Sequence, residues 1–523
     1  MGDCKADEAM STVALAESEA RRASVLIRWA FFLYPGNRHG MQGGVSISGI
    51  IAVHSPSAEH TTRTAFKALV ALQNRGEAGC GICTATSDKL LYWIIPHSED
   101  PEQGHSAEGR ESSKVFEFLY PRLEKIDATK PTRIIGHTLF EKSGNIQPSC
   151  IETDDYEFAI CMDGTIIGKS RLLDERYLGR EFLRQMRDGN GDIRRAVKSL
   201  MEEFYGKGYY SATAILREEG EAPVLLAFRD PTGVRPICLG RVDDKFVVAS
   251  ESVALDETEA EFIKYIEPGE VCIFSDDGFE SEVLVRRPHA HCIFEWIYFA
   301  RIQSIMEGAH VYDFRKKQGY KMGKRYGRQI KACDVIGASP DSGRAFGIGV
   351  CQATGKQSEE IASKNGRRTF QITDKALRDI AAEVKFLING PVVKDKWVVV
   401  SDDSIVRGTV GGKGMIGKIR EKGAKRVDMM VSCAPLTGPC MKDFHPRGTT
   451  AAFGRHGEPV EETAKLVAER LGADRVYYTT VEDMIESLGI DDGVCTGCFT
   501  CEYPIAKDLL PDYLPSYAKS TIA

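Results

Sequence analysis

The sequence contains no apolar run that approaches the roughly 20 residues needed to span a bilayer. It also has no excess of positive charge, since its formal net charge is −7, and it therefore offers no electrostatic case for binding nucleic acid. Its 15 cysteines are scattered over 523 residues without a secretory context, which argues against a disulfide scaffold and for a reducing compartment. We therefore expect a cytoplasmic protein of two or more domains, without a membrane or nucleic-acid partner.

The first 47 residues differ from the rest of the chain. Residues 25–34 are apolar except for Arg28, and Arg21 and Arg22 precede them. Because Arg28 interrupts the apolar run and no convincing cleavage site follows, the segment makes a poor signal peptide. We interpret residues 1–47 as an extension: a surface helix, a disordered segment or an over-extended start ahead of Met41.

The most informative stretch is residues 398–409, which read VVVSDDSIVRGT. The apolar run 397–400 predicts a short buried strand that ends at the paired carboxylates of Asp402 and Asp403, and the glycine-rich residues 411–422 are predicted to form a helix. In an open parallel sheet, ligands bind beyond the carboxyl ends of the strands, and a loop ahead of a helix offers N–H groups to a phosphate. Adjacent carboxylates suit sugar hydroxyls or a divalent cation. The stretch therefore predicts a ribose end and a phosphate end within one motif.

This stretch resembles the phosphoribosyl-pyrophosphate (PRPP) motif of type I phosphoribosyltransferases, and its DDSIVRGT sequence resembles that of glutamine PRPP amidotransferases. The alternatives are an ordinary buried strand with a polar turn, and a nucleoside-triphosphate P-loop. The P-loop fails because Gly414 follows Lys413 where Ser or Thr is needed. The resemblance implies that Asp402 and Asp403 hold the ribose hydroxyls and Mg²⁺. It implies that the 5′-phosphate is held by Ser404, Ile405, Val406, Arg407, Gly408 and Thr409.

A second loop, SPDSGR at residues 339–344, matches the pyrophosphate loop of the same family. A turn of Pro, Asp, Ser and Gly ahead of a helix exposes N–H groups and a hydroxyl. The resemblance implies that Ser342 also contacts Mg²⁺. It assigns pyrophosphate binding to Asp341, Ser342, Gly343 and Arg344.

Residues 364–370, KNGRRTF, resemble the flexible loop of the family with two residues missing. In the family this loop closes over PRPP and excludes water from the activated sugar. The resemblance implies that Lys364, Arg367 and Arg368 neutralise phosphate charge. The shortening puts loop closure and the choice of nucleophile in doubt.

Before residue 285, short β-rich runs alternate with turns and helical patterns, as in stacked sheets flanked by helices. Segments 72–76, 229–236, 249–256 and 267–271 resemble the N-terminal glutaminase domain of the same family. The resemblance implies an N-terminal-nucleophile (Ntn) hydrolase fold, an αββα sandwich of the type 2 glutamine amidotransferases, over residues 48–285. It implies a type I phosphoribosyltransferase domain, with a parallel sheet, over residues 286–523.

The glutaminase chemistry is where the chain departs from the family. The family attacks glutamine with an N-terminal cysteine, whereas the matching residue here is Ser48, a far weaker nucleophile whose amine is free only after cleavage. The arginine that clamps the glutamine carboxylate is replaced by Leu139, and the oxyanion-stabilising Asn by Asp163. We therefore predict an inactive glutaminase domain that is kept as a structural shell.

A CTGCFTC segment occupies residues 495–501, and CxxC spacing alone fits zinc, a redox pair or an iron–sulfur cluster. The cluster-bearing branch of the family has cysteines that match four cysteines of this chain, so the resemblance implies a structural [4Fe–4S] cluster. Its ligands would be Cys292, Cys440, Cys495 and Cys498. Cys501 stands where the family usually has glycine and is a spare thiol or an alternative ligand.

The resemblance implies an enzyme that transfers a nitrogen group to C1 of PRPP and releases pyrophosphate, as in the formation of 5-phosphoribosylamine in purine synthesis. Ammonia is the simplest donor, and a separate glutaminase or a different amine is an alternative source. Two other functions stay open: a complete glutamine-dependent reaction with Ser48 active after processing, and a regulatory pseudoenzyme that senses PRPP or a nucleotide. We also expect a homo-oligomer.

Overall fold

The computed structural model describes residues 48–77, 79–86, 89–94, 114–139, 147–167, 174–276, 278–364, 386–406, 414–440, 451–510 and 518–522. The predicted extension, residues 1–47, lies outside the described residues. In the described part of the chain, no helix combines the length and the apolar character needed to cross a membrane.

The first half of the chain is built on two antiparallel sheets. Its strands are β1 (Gly49–His54), β2 (Gly79–Ala85), β3 (Leu90–Ile94), β4 (Arg133–Leu139), β5 (Ser149–Glu152), β6 (Tyr156–Ile166), β7 (Gly208–Glu218), β8 (Val224–Arg229), β9 (Cys238–Val242), β10 (Lys245–Ala249), β11 (Glu261–Tyr265), β12 (Glu270–Ser275) and β13 (Gly278–Val283). One sheet has the order β11-β9-β10-β1-β4-β2-β3 and the other has the order β13-β12-β8-β7-β6-β5.

Helices cover the outer faces of both sheets. They are α1 (Thr61–Ala71), α2 (Lys114–Leu119), α3 (Leu123–Asp127), α4 (Asp174–Asp188), α5 (Ile193–Phe204) and α6 (Val253–Glu257). Successive side chains of a strand point to opposite faces of its sheet. In β1, Ile50 and Ala52 therefore pack between the two sheets, while Ile51 and Val53 pack in the core that includes α1. This alternation buries both faces of the sheet, and the predicted αββα sandwich is confirmed.

The second half of the chain contains a parallel sheet with the order β18-β17-β21-β22-β23. The strands of the second half, inside and outside this sheet, are β14 (His291–Cys292), β15 (Ile305–Met306), β16 (Ala309–His310), β17 (Val335–Ala338), β18 (Ser358–Glu359), β19 (Ala362–Lys364), β20 (Phe386–Ile388), β21 (Trp397–Asp402), β22 (Arg426–Val431), β23 (Arg475–Tyr478), β24 (Val494–Cys495), β25 (Glu502–Tyr503) and β26 (Lys519–Ser520). Its helices are α7 (Val311–Tyr326), α8 (Arg344–Thr354), α9 (Gly390–Val393), α10 (Met415–Glu421), α11 (Val460–Leu471), α12 (Val481–Leu488) and α13 (Gly497–Thr500). The predicted parallel sheet is confirmed, with β21 near its centre.

Two predicted helices have different bounds in the structure. The basic stretch 315–333 has a helical composition, and in the structure α7 covers its first part and ends at Tyr326, with Gly327 as its C-cap. The helix predicted from residue 411 begins at Met415, after Gly414 in an extended conformation, and residues 411–413 lie outside the described part.

Candidate functional site

The two loops with the predicted PRPP motifs lie side by side at the carboxyl edge of the parallel sheet. Strands β17 and β21 are paired in parallel, with Ala338 opposite Ser401. Beyond this pair, the N–H of Ser339 donates to the carbonyl oxygen of Ser401 over 2.8 Å. Residues far apart in the sequence therefore meet where an open parallel sheet binds its ligands.

The pyrophosphate loop passes very close to the end of β21, and this proximity requires a glycine. A Cβ atom placed on Gly343 would lie 2.3 Å from the carbonyl oxygen of Ser401, closer than any side chain tolerates. One residue earlier, the hydroxyl of Ser342 donates to Oδ1 of Asp403 over 3.3 Å. The loop is thus held against the second of the two motif carboxylates.

The two motif carboxylates have different environments. Asp403 is 4% exposed, and its Oδ2 atom has no hydrogen-bond partner among the described residues. Asp402 is half-buried, and its Oδ1 accepts the N–H of Asp403 over 2.9 Å. A buried carboxylate oxygen without a donor is costly, and a cation or a ligand hydroxyl would satisfy it.

A buried arginine that the sequence did not single out lies near this carboxylate. Arg315 of α7 donates to the carbonyl oxygens of Trp296 and Ala300 over 2.8 and 2.9 Å. Burial lowers the pKa of Arg315 to about 10, and the negative charge of Asp403 acts in the opposite direction. The sequence contained Arg315 only as one of several basic residues in a predicted helix.

Charged side chains surround the pyrophosphate loop. Asp341 lies 3.1 Å from a guanidinium nitrogen of Arg344 and 3.5 Å from Nζ of Lys364, and Arg344 also lies 3.5 Å from Glu360. Lys364 ends β19, so the described part of the predicted flexible loop is its first residue. Arg367 and Arg368 lie outside the described residues.

The predicted phosphate loop is described as far as residue 406. Ser404 is half-buried, Ile405 packs in the hydrophobic core of the second half, and the carbonyl oxygen of Val406 accepts the N–H of Ala451 over 2.9 Å. The side chain of Ile405 therefore serves the core. The last three residues of the loop, Arg407, Gly408 and Thr409, lie outside the described residues.

In the first half, Ser48, which is predicted to match the family nucleophile, is buried directly before β1. Its backbone N–H donates to Oδ1 of Asp163 over 3.2 Å, and its carbonyl oxygen accepts Nε of Arg75 over 3.0 Å. Leu139, at the position of the clamp, is buried at the end of β4. The backbone nitrogen of Ser48 is thus an amide engaged by a carboxylate, whereas the family chemistry needs a free amine.

A buried ionic cluster surrounds Ser48, and we call Arg75, Asp163, Arg235, Glu251 and Glu295 the arginine–carboxylate cluster. Arg75 contacts Asp163 at 3.0 Å, Glu251 at 3.1 Å and Glu295 at 2.9 Å, and Arg235 contacts Glu295 and lies 3.7 Å from Asp163. Burial alone would lower the pKa of Arg75, but the three carboxylates outweigh it and hold that pKa well above its ordinary value.

This cluster explains the sequence segments shared with the glutaminase domain. Arg75, Arg235 and Glu251 come from three of those segments, and Glu295 belongs to the short helical turn Glu295–Phe299 at the start of the second half. Glu251 also accepts the N–H of Arg301 over 2.9 Å and the hydroxyl of Ser304 over 2.7 Å. The segments therefore join the two halves, and the carboxylate of Asp163 is neutralised by Arg75 and Arg235.

The four predicted cluster cysteines share one region between the halves. Cys292 and Cys495 lie opposite each other in the parallel pair of β14 and β24. Burial raises the pKa of Cys498, and the charges of Cys440, Cys292 and Cys495 raise it further. Burial also raises the pKa of Cys495 to about 11.

Zinc and a larger cluster place different demands on these sulfurs. A tetrahedral zinc with Zn–S bonds of about 2.3 Å holds its sulfurs roughly 3.8 Å apart. Among the described residues, the group of His, Cys, Asp and Glu side chains close enough to hold one ion contains none of these four cysteines.

Cys501, the remaining candidate, has a different neighbourhood. A Cβ atom placed on Gly438 would lie 2.7 Å from its sulfur, and the hydroxyl of Tyr503 donates to the carbonyl oxygen of Pro439 over 2.8 Å. The segment that carries Cys440 is therefore held against the one that carries Cys498, with Cys501 packed between them.

No protein-family model matches the chain. The chain is 29% identical over 483 residues to an amidophosphoribosyltransferase of Archaeoglobus fulgidus, with 88% of this chain and 98% of that protein covered. It is 29% identical over 471 residues to an amidophosphoribosyltransferase of Bacillus subtilis, with coverage of 85% and 92%. Among solved structures, the glutamine PRPP amidotransferase of B. subtilis complexed with ADP and GMP aligns with a TM-score of 0.70 at 27% identity, over 88% of this chain and 98% of that one. A structure described as the allosteric regulatory enzyme of purine biosynthesis also aligns with a TM-score of 0.70, at 26% identity.

Proposed function

The chain belongs to the amidophosphoribosyltransferase family, and from this premise we propose that it transfers a nitrogen group to C1 of PRPP and releases pyrophosphate. The observation that carries the proposal is the buried Asp403, whose Oδ2 atom has no described partner at the carboxyl end of β21. In this position a carboxylate can accept a ribose hydroxyl or bind a divalent cation. The product would be 5-phosphoribosylamine, as in purine synthesis.

The surrounding side chains suit the two charged ends of PRPP. Lys364 and Arg344 both contact Asp341, so two cations stand at the loop where pyrophosphate would lie. A bound pyrophosphate would take over these cations, and the hydroxyl of Ser342 is close enough to Asp403 to share a metal with it. Asp402 and Asp403 would hold the ribose hydroxyls, and the loop from Ser404 to Thr409 would hold the 5′-phosphate.

Catalysis at such a site is mostly positioning and electrostatic support of the leaving group. The residues that would hold Mg²⁺ are Ser342, Asp402 and Asp403, whose oxygen donors are the type that Mg²⁺ prefers. The metal would neutralise charge that develops on the pyrophosphate. The chain itself contributes the cations Arg344 and Lys364 and the ribose-binding carboxylates.

We further propose that ammonia, or another amine from solution or from a separate glutaminase, supplies the nitrogen. Three features support an inactive glutaminase: a serine at the nucleophile position, a buried leucine at position 139, and the arginine–carboxylate cluster around Asp163. The carboxylate of Asp163 accepts the Ser48 amide, so it offers a developing oxyanion no hydrogen-bond donor.

We also propose a structural [4Fe–4S] cluster held by Cys292, Cys440, Cys495 and Cys498. The four cysteines come from both ends of the second half, Cys292 and Cys495 are paired across β14 and β24, and Cys498 is close enough to the other three for their charges to raise its pKa. Such a cluster would tie β14 and β24 to the segment around Cys440. Nitrogen transfer needs no electron transfer, so the role of the cluster would be structural. The predicted homo-oligomer stays a prediction.

The test is pyrophosphate release from PRPP by anaerobically purified protein, with Mg²⁺ and with ammonia, glutamine or a panel of amines. We expect release with ammonia and none that depends on glutamine. Glutamine hydrolysis, measured with and without PRPP, separates this reaction from a complete glutamine-dependent one. Tight PRPP binding without release from any amine would refute the transferase and indicate a sensor.

A further inference from the structure

Two histidines and an aspartate converge beside the cysteine region, outside the PRPP site. Nδ1 of His289 lies 2.7 Å from Oδ2 of Asp492, and Nε2 of His291 lies 2.9 Å from the same oxygen. One ligand atom from each residue lies within 4.8 Å of the other two, and no other such group of His, Cys, Asp or Glu occurs among the described residues. We call these three residues the His–His–Asp site.

His291 turns one ring nitrogen toward the fold and the other toward the site. Its Nδ1 lies 2.9 Å from the carbonyl oxygen of Gly233 and 3.1 Å from a guanidinium nitrogen of Arg229. Its Nε2 lies 2.9 Å from Oδ2 of Asp492, so an imidazole nitrogen and a carboxylate oxygen face each other where one cation could bind both. A metal-binding histidine usually has its second nitrogen held by a backbone carbonyl or a similar group, as Nδ1 is here.

The nearest positive charge, that of Arg229, lies on the far side of His291 from Asp492 and therefore does not repel a cation at the site. Arg229 approaches His291 at Nδ1, at 3.1 Å, and donates to the carbonyl oxygen of Gly233 over 2.7 Å. Its other terminal nitrogen lies 2.8 Å from Glu307. The guanidinium is therefore paired and faces away from the Nε2 edge that points to Asp492.

We propose that His289, His291 and Asp492 bind one divalent transition-metal ion of the zinc class, with solvent as the fourth ligand. Imidazole nitrogens and a carboxylate oxygen are ordinary zinc ligands, with bonds of about 2.0–2.2 Å. A tetrahedron of that size separates its ligand atoms by about 3.3 Å, so the present contacts need to widen by only a few tenths of an ångström. The side chains of His289 and Asp492 are 30% and 38% exposed, which gives the ion a path from solvent.

The ion would brace the strand pair that presents two of the cysteines. His291 pairs with Val494 and Cys292 with Cys495 in the β14–β24 ladder, and the N–H of His291 donates to the carbonyl oxygen of Gly493 over 2.9 Å. A metal held by His289, His291 and Asp492 would cross-link the two strands just before the cysteines. The site would therefore be structural and independent of PRPP.

The test is a calorimetric titration of anaerobically purified full-length protein with zinc chloride, together with zinc-edge X-ray absorption. We compare the wild type with His289→Ala, Asp492→Asn and the control His310→Ala, which removes an exposed histidine 3.2 Å from Asp313. The wild type and the control should bind one zinc ion equally tightly, and the other two variants should bind it more than ~10-fold more weakly. The absorption spectrum should show only nitrogen and oxygen ligands at about 2.0–2.2 Å.

Three results would overturn the proposal: no zinc binding by the wild type, equal affinity in all four proteins, or a sulfur shell at about 2.3 Å. The last would place the zinc on cysteines. An unchanged circular dichroism spectrum of each variant checks that its fold is intact.

Discussion

Replacing Arg75 with methionine tests whether the arginine–carboxylate cluster holds the two halves of the protein together. Arg75 contacts Asp163, Glu251 and Glu295 at 2.9–3.1 Å, and all four side chains are at most 1% exposed. Methionine fills similar space without charge, so the variant leaves three buried carboxylates with Arg235 as their remaining arginine. Removing one partner of a buried ion pair costs about 3–5 kcal/mol.

A matched surface variant distinguishes burial from the mere number of ion pairs. Arg184 also contacts three carboxylates, those of Glu181 at 2.7 Å and of Asp188 and Glu203 at 3.0 Å, but its side chain is 48% exposed. Exposed ion pairs contribute about 0–1 kcal/mol, so Arg184→Met should change the free energy of unfolding by about 1 kcal/mol or less.

The assay is denaturant unfolding of the wild type and both variants, followed by tryptophan fluorescence. Trp296 is buried directly beside Glu295 and reports on the cluster. We expect Arg75→Met to lose about 3–5 kcal/mol, a large part of the roughly 5–15 kcal/mol that stabilises a typical domain. A loss no greater than that of Arg184→Met would refute the role of the cluster.

Three further predictions concern other parts of the chain. Burial raises the pKa of Glu175 from 4.5 to about 7. The free energy of unfolding should therefore fall by about 3 kcal/mol as the pH rises through that range, because the buried carboxyl must ionise. Unfolding experiments at several pH values should show this fall for the wild type and not for Glu175→Gln. Cys498→Ala should abolish the visible absorbance of the proposed iron–sulfur cluster, whereas Cys501→Ala should retain it, and the reverse result would make Cys501 the ligand. Ser48→Cys should hydrolyse no glutamine, because the nitrogen of residue 48 is a peptide amide bound to a carboxylate; measurable hydrolysis would contradict an inactive glutaminase.

Local patterns in the sequence predicted most of the fold. The short apolar runs of β1 and β21 each predict a strand, because a strand that is buried on both faces carries apolar residues continuously. The PRPP motifs predicted that residues around 341 and 402 meet, and the pairing of β17 with β21 brings them together. The bounds of α7 and α10 were less predictable, since α7 continues through Gly319 and Gly323 but ends before Gly327, and α10 begins only after the extended Gly414.

The arginine–carboxylate cluster and the His–His–Asp site could not be read from the sequence. Each includes a contact between residues more than 200 positions apart, Arg75 with Glu295 and His291 with Asp492. Such contacts depend on how sheets and halves pack, which no local pattern records. The only sequence signal was the His-Ala-His spacing directly before Cys292.

The most direct test of the central claim is calorimetric titration of PRPP, with Mg²⁺ present, into the wild type, Asp403→Asn and Asp334→Asn. Asp334 accepts the N–H of Trp397 at the opposite, amino end of the same sheet and serves as the control. The account predicts heat of binding for the wild type and for Asp334→Asn, and a much reduced affinity for Asp403→Asn. Equal binding by all three proteins, or no binding by the wild type, would contradict it.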